Sequence, residues 1–307
     1  MRFHLSLTLV RVTFANVSPL EHKFRLRRLD RVKYTLRWQY IIMFDKILLP
    51  VDPSKRLKPA REYAIALSEK LQVPLVAAFI ANPKKAGTGT ASLDTRDGFA
   101  ALGKRQLDQI IESNQSINIK PIVMKGKRHR VLAKLVDEGI ADTLVLGPFR
   151  SFLSRMFTGS EVERILEYES SHAFVVREPH PLPGPGSPAL VVIDGINFSD
   201  KSISSIEAFA RKFGCDIELL YLGKKRINTD FMDKTVVSLR EKLGEKFHIT
   251  STIVPHTFFK SRKSITNSVV ESEGARIVVL PLINHLVSEF LLHQVVLDAS
   301  VPVCVIR

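Results

Sequence analysis

Four places in this 307-residue chain gather residue types that could line a ligand site. Asp52 closes the apolar run Lys46-Ile-Leu-Leu-Pro-Val and is followed by Pro53-Ser54. Lys125-Gly126-Lys127-Arg128-His129-Arg130 sets a glycine among cations. Gly147 leads into Arg150, Ser151 and Arg155. Gly159-Ser160 stands directly before the apolar-periodic residues Val162, Ile165 and Leu166. A glycine lets the backbone approach a ligand closely, and a serine there caps the helix it opens. The free N–H groups of a helix N-terminus favour phosphate, and nearby arginines add charge-assisted bonds. The candidate nucleotide-site residues are therefore Asp52, Ser54, Gly126, Gly147, Arg150, Gly159 and Ser160, the glycines, Ser160 and Arg150 suiting a phosphate. The same residues also fit a plain helix cap beside a solvated basic loop.

These segments need a scaffold that brings them to one edge. Short runs apolar on both faces predict strands at Lys46–Val51, Pro74–Ile80, Lys120–Met124, Thr143–Leu146 and Ala173–Val176. Helical spacing links Ala60, Tyr63, Ala64, Ala66 and Leu67, ending near Leu71. Further helices are expected at Phe99–Glu112, at Val131–Glu138 with Gly139 as its stop, and at Ser160–Tyr168. Alternating strands and amphipathic helices indicate an α/β fold, a parallel sheet covered on both faces. In such a sheet ligands sit beyond the carboxyl ends of the strands. The segments after strands one, three and four meet there.

The chain then repeats itself. Ala189-Leu-Val-Val-Ile-Asp194 echoes the run ending at Asp52, 142 positions on, and the next stretches stay in register. Ala66 falls on Ala208, Lys70 on Lys212 and Val73 on Cys215. The halves finish alike, Phe174-Val-Val-Arg177 against Cys304-Val-Ile-Arg307. Strands are expected in the second copy near Ala189–Ile193, Asp216–Leu222, Ile249–Val254, Arg276–Leu280 and Val303–Ile306. A repeat of this size is a whole domain, not a solenoid unit. The expected organisation is a basic extension at 1–42, a domain at 43–178, a linker at 179–188 with five prolines and two glycines, and a second domain at 189–307.

The net charge of +14 is concentrated at the start: residues 1–42 carry nine Lys/Arg against Glu21 and Asp30. The remainder is mildly basic, which argues against a specific nucleic-acid partner. Met43 precedes the first repeated strand, so the extension is expected to lie outside the fold. Leu26, Leu29, Val32, Leu36 and Tyr40 also recur at helical spacing among basic residues, so any membrane contact is expected only through this segment. Cys215 and Cys304 lack metal or redox spacing and read as packed, reduced thiols, consistent with a cytoplasmic protein. No nucleophile elbow, P-loop or H-E-x-x-H occurs, and His172 reads as a strand-edge residue rather than a base. No catalytic residue and no metal ligand is assigned.

The strand-one Asp, the Gly of strand four and the Gly-Ser before the last helix resemble the universal stress protein family, as two tandem family domains over residues 43–307. The segment from Asp142 through Gly147 to Gly159-Ser160 is similar to that family's G-x2-G-x9-G-[ST] motif, whose glycines and Ser/Thr hold ATP phosphates, while the Asp contacts the adenosine part. With nine residues intervening before Gly159, the middle glycine falls on Phe149, and the loop is one residue shorter. The resemblance implies two five-stranded, adenine nucleotide alpha hydrolase-like (Rossmann-like) domains. It also implies a non-catalytic stress-response module and an intramolecular pseudo-dimer through the final strands, with a homodimer beyond it. ATP or another adenine nucleotide, with Mg²⁺, is the expected ligand, and no resident cofactor is required. The second copy has Glu289-Phe290 where the first has Gly159-Ser160, so only Asp194 survives there. A nucleotide-independent scaffold and a weak nucleotide hydrolase remain as alternatives.

Overall fold

A computed structural model describes residues 43–52, 55–81, 94–147, 171–193, 200–223, 229–255, 267, 269–271, 273–282, 295–296 and 299–307. All of them fall in the unit Ile42–Arg307. The extension at 1–42 and the expected helix at Ser160–Tyr168 lie outside the described residues.

The first half contains β1 (Ile47–Val51), a 3-10 turn (Lys55–Leu57), α1 (Lys58–Leu71), β2 (Leu75–Ala81), α2 (Asp94–Glu112), β3 (Ile119–Lys125), α3 (Arg128–Asp137), β4 (Thr143–Leu146) and β5 (His172–Val175). The second contains β6 (Ala189–Ile193), α4 (Asp200–Phe213), β7 (Ile217–Gly223), α5 (Thr229–Leu243), β8 (Ile249–Pro255), β9 (Ile277–Pro281) and β10 (Val303–Ile306). Local chemistry explains the boundaries. Pro59 opens α1, where its missing N–H costs nothing. Gln72 ends that helix in the left-handed region (φ 54°), donating from its N–H to the Glu69 carbonyl. Gly139 (φ 70°) follows α3 and donates to the Val136 carbonyl.

The strands form one sheet in the order β3-β2-β1-β4-β5-β10-β9-β6-β7-β8. That order reads 3-2-1-4-5 inward from either edge, so each half is a doubly wound unit and the two are mirrored in strand order. Every pairing is parallel except β5 with β10, which is antiparallel, with Cys304 opposite Phe174. β1 and β6 are buried throughout, as strands covered on both faces must be. Pro121 lies in β3, at the sheet's margin, where a missing N–H is tolerated.

Each face of the sheet has a core that runs across the β5–β10 seam. One is an aliphatic layer in which Leu48, Leu144 and Val175 continue into Val303, Val278 and Leu190, covered in the first half by Val131, Leu132 and Leu135 of α3. The other is aromatic. Phe44 lies 5.2 Å from Phe174, 6.0 Å from Phe209 and 5.8 Å from Phe213, measured between ring centres. Tyr63 of α1 packs on Phe174 at 5.8 Å. Two equivalent lysines reach across in opposite directions. Lys70 donates to the Pro183 carbonyl (2.6 Å) above the Phe213 ring, and Lys212 pairs with Asp45 (3.3 Å). The proline-rich connection is held here too, with Ser187 Oγ donating to the Gly184 carbonyl.

Candidate functional site

Strand order reverses between β1 and β4, and the chain leaves both strands at the same edge. This is where an open α/β sheet leaves a crevice. Asp52 is the first residue after β1 and Gly147 the first after β4, so the adjacent strands bring these two together. Gly126 follows β3, two strands away from β1. Ser54, Arg150, Gly159 and Ser160 lie outside the described residues, as do Asp194 and Glu289-Phe290 of the second half.

Asp52 is not left to solvent. Arg128 Nη2 donates to its Oδ2 at 3.2 Å, and the two side chains are only 14% and 18% exposed. Because β2 separates β3 from β1, this contact arches over the carboxyl end of β2. The ladder beneath continues one residue further, with the Gly126 N–H donating to the Ala81 carbonyl at 2.9 Å. Gly126 has φ +150°, and a Cβ there would stand 3.0 Å from Val131 Cγ2. A left-handed bend therefore starts α3 close against its own first turn. That first turn has no acidic residue and no side-chain cap. Lys125, Lys127 and Arg130 around it are exposed, whereas Arg128 is turned inward.

Gly147 answers a packing demand. A Cβ on it would approach Leu57 Cδ2 to 2.6 Å and Ala60 Cβ to 3.1 Å. The glycine thus lets the start of α1 press onto the end of β4 and narrows the crevice from that side. The second half has Pro281 at this strand end, still paired with Ile306 of β10.

His172 belongs to the interior and not to a strand edge as its sequence context suggests. It opens β5, which is hydrogen-bonded on both sides, and it is 7% exposed. Its Nδ1 accepts from the Arg307 N–H at 3.2 Å, and Phe44 packs on the ring at 5.3 Å. Burial, helped by the charges of Lys201 and Arg307, lowers its pKa to about 4, so the ring is neutral at pH 7. Cys215 and Cys304 are free, buried thiols, and burial pushes Cys215 up to about 12. Glu218, which no sequence motif marks, is a carboxyl 2% exposed within β7. Thr250 donates to its Oε2, its Oε1 has no hydrogen-bond partner, and burial raises its pKa. Among the described residues no group of three metal-ligating side chains occurs, and no helix is long and apolar enough to cross a membrane.

Residues 43–177 match the universal stress protein family. Among solved structures, a universal stress protein from Archaeoglobus fulgidus DSM 4304 is similar over 85% of this chain and 96% of its own, at 17% identity and a TM-score of 0.65. A protein described as a putative universal stress protein from Pseudomonas aeruginosa UCBPP-PA14 is similar over 86% of this chain and 93% of its own, at 12% identity and a TM-score of 0.56. These identities speak to fold alone. No curated protein matches the chain.

Proposed function

We propose, on the premise that residues 43–177 belong to the universal stress protein family, that the chain is a non-catalytic stress-response module whose first half binds an adenine nucleotide. The observation that carries this reading is Asp52, placed beside Gly147 where strand order reverses and flanked by the basic start of α3. The family match supports the stress-response role. ATP with its Mg²⁺ is the ligand we favour. Its phosphates would meet Lys125, Lys127 and Arg130, and the segment containing Gly159-Ser160 would supply backbone donors. Binding would bias a partner contact rather than drive a reaction. Among the described residues, His172, buried near the seam, offers no base to this site. It lies at the amino end of β5, roughly 13 Å along the sheet from the carboxyl edge. We place the protein in the cytoplasm, as an internal pseudo-dimer able to pair further.

One observation favours a second reading. The close packing of Gly147 on Leu57 and Ala60 accounts for that glycine without any phosphate, as an interaction scaffold would require. Mass spectrometry of the freshly purified, denatured protein separates the two. Co-purified ATP or AMP supports the nucleotide reading. No co-purified nucleotide, together with no heat of binding on adding ATP, supports the scaffold. Time-dependent conversion of added ATP would replace both with a weak hydrolase.

A further inference from the structure

We propose that Arg128 is a positioning residue, which acts on the nucleoside part of the ligand through Asp52 and is not itself a phosphate ligand. The proposal rests on the nucleotide reading above and refines it. A basic run after a strand suggests that all its cations face the phosphates. The structure divides them: Arg128 is directed to a carboxylate 76 residues earlier in the chain, while Lys125, Lys127 and Arg130 stay exposed.

The pair is mostly withdrawn from water, so its partners are held more firmly than an exposed ion pair would be. Arg128 is also anchored at the first residue of α3, whose last turns are fixed by Leu132 and Leu135 in the aliphatic layer. The guanidinium therefore transmits the position of a packed helix to Asp52. A carboxylate accepts up to about four hydrogen bonds, and the one from Arg128 occupies a single position on Oδ2. The aspartate would be held in one orientation for a sugar hydroxyl or a base amino group. Without the Arg128 guanidinium the carboxylate loses a largely buried charged partner, and its orientation is no longer tied to α3.

The test is calorimetry at fixed salt with three probes, ATP, adenosine and inorganic tripolyphosphate. The proteins are the full chain and its Arg128→Ala, Arg128→Lys, Asp52→Asn and doubly substituted variants. Arg128→Ala is expected to weaken ATP and adenosine by the same factor, roughly tenfold, and to leave tripolyphosphate unchanged. Arg128→Lys should restore part of the loss, and the double variant should bind no worse than Asp52→Asn alone. Equal weakening of tripolyphosphate would make Arg128 a phosphate ligand and overturn the proposal. Unchanged adenosine affinity in Arg128→Ala would overturn it as well. If the unsubstituted chain binds neither ATP nor adenosine, the nucleotide reading itself fails, and this refinement with it. An unchanged melting temperature in Arg128→Ala keeps these outcomes separate from misfolding.

Discussion

In the first half the helix after the opening strand runs from Lys58 to Leu71, and in the second it runs from Asp200 to Phe213, every position displaced by 142. The same displacement relates β1 to β6 and β2 to β7. Beyond β2 it breaks down, since β3 and β8 begin 130 positions apart. The halves thus agree over their first two strands and the helix between them, and α1 and α4 are the helices whose Tyr63, Phe209 and Phe213 pack at the seam. The halves differ in residues that decide local chemistry: Gly147 against Pro281, Val76 against Glu218, Gln72 against Gly214. Packing across the seam is a demand both halves must meet together, because each completes the other's core. A crevice at one carboxyl edge makes no such demand on the other half.

The largest single effect is therefore expected at the seam. Phe174 is fully buried and touches Phe44 and Tyr63 from the first half and Phe213 from the second. Phe174→Ala should cost about 3–5 kcal/mol, the usual range for a large ring removed from a packed core. Urea denaturation followed by far-UV circular dichroism measures it. If the two halves depend on one another, both should unfold in one shifted transition. A variant in which only half of the signal shifts would show that the seam does not couple them.

The comparison also explains what could be read from the chain and what could not. The repeat around Asp52 and Asp194 is local and rigidly spaced, so it reveals the opening strands, α1 and the twofold organisation of the sheet's interior. The Arg128–Asp52 contact joins the start of α3 to the residue after β1, 76 positions apart, and nothing in the spacing of either marks the other. Gly147 invites a ligand reading because a glycine after a strand permits close approach. Only the positions of Leu57 and Ala60 disclose that the approaching group is the protein's own helix. His172 looked peripheral because the antiparallel partner that covers it, β10, comes 131 residues later. Glu218 was hidden by its neighbours: one acidic residue in Ile-Glu-Leu-Leu-Tyr-Leu reads as the solvent face of a strand.

Glu218 allows the comparison to be tested by exchange. The equivalent first-half residue is Val76, 3% exposed in the aliphatic layer. Burial raises the Glu218 pKa above its ordinary value of 4.5. A carboxyl with a raised folded-state pKa contributes stability at low pH, and that contribution is lost as pH rises from the unfolded value through the folded one. Relative to Glu218→Gln, the native chain should therefore lose stability as pH is raised from about 4.5 toward neutrality. Glu218→Val should remove the same pH dependence and gain about 1–2 kcal/mol at pH 7, by relieving an unpartnered buried oxygen. Urea midpoints at pH 4.5 and pH 7.5 decide it. A native chain whose stability parallels Glu218→Gln at both pH values would mean that the carboxyl is effectively solvated.

The smallest predicted effect concerns the helix ends. Gln72 and Gly214 occupy the same place after α1 and α4, and both are left-handed, with φ of 54° and 64°. A side chain in that region crowds its own carbonyl, at a cost of about 1 kcal/mol that glycine avoids. Gln72→Gly should accordingly stabilise the chain by about 0.5–1 kcal/mol, the larger unfolded-state freedom of glycine offsetting part of the gain. Gly214→Gln should destabilise by a similar amount. Equilibrium denaturation of the two single variants and of the exchanged pair measures both signs. If the exchange leaves stability unchanged, the two ends are interchangeable. A net change would locate an additional demand at one of them, and the neighbours of Gly214 are the nearer candidates, since Pro185 of the connecting segment lies within 4 Å of a Cβ at that position.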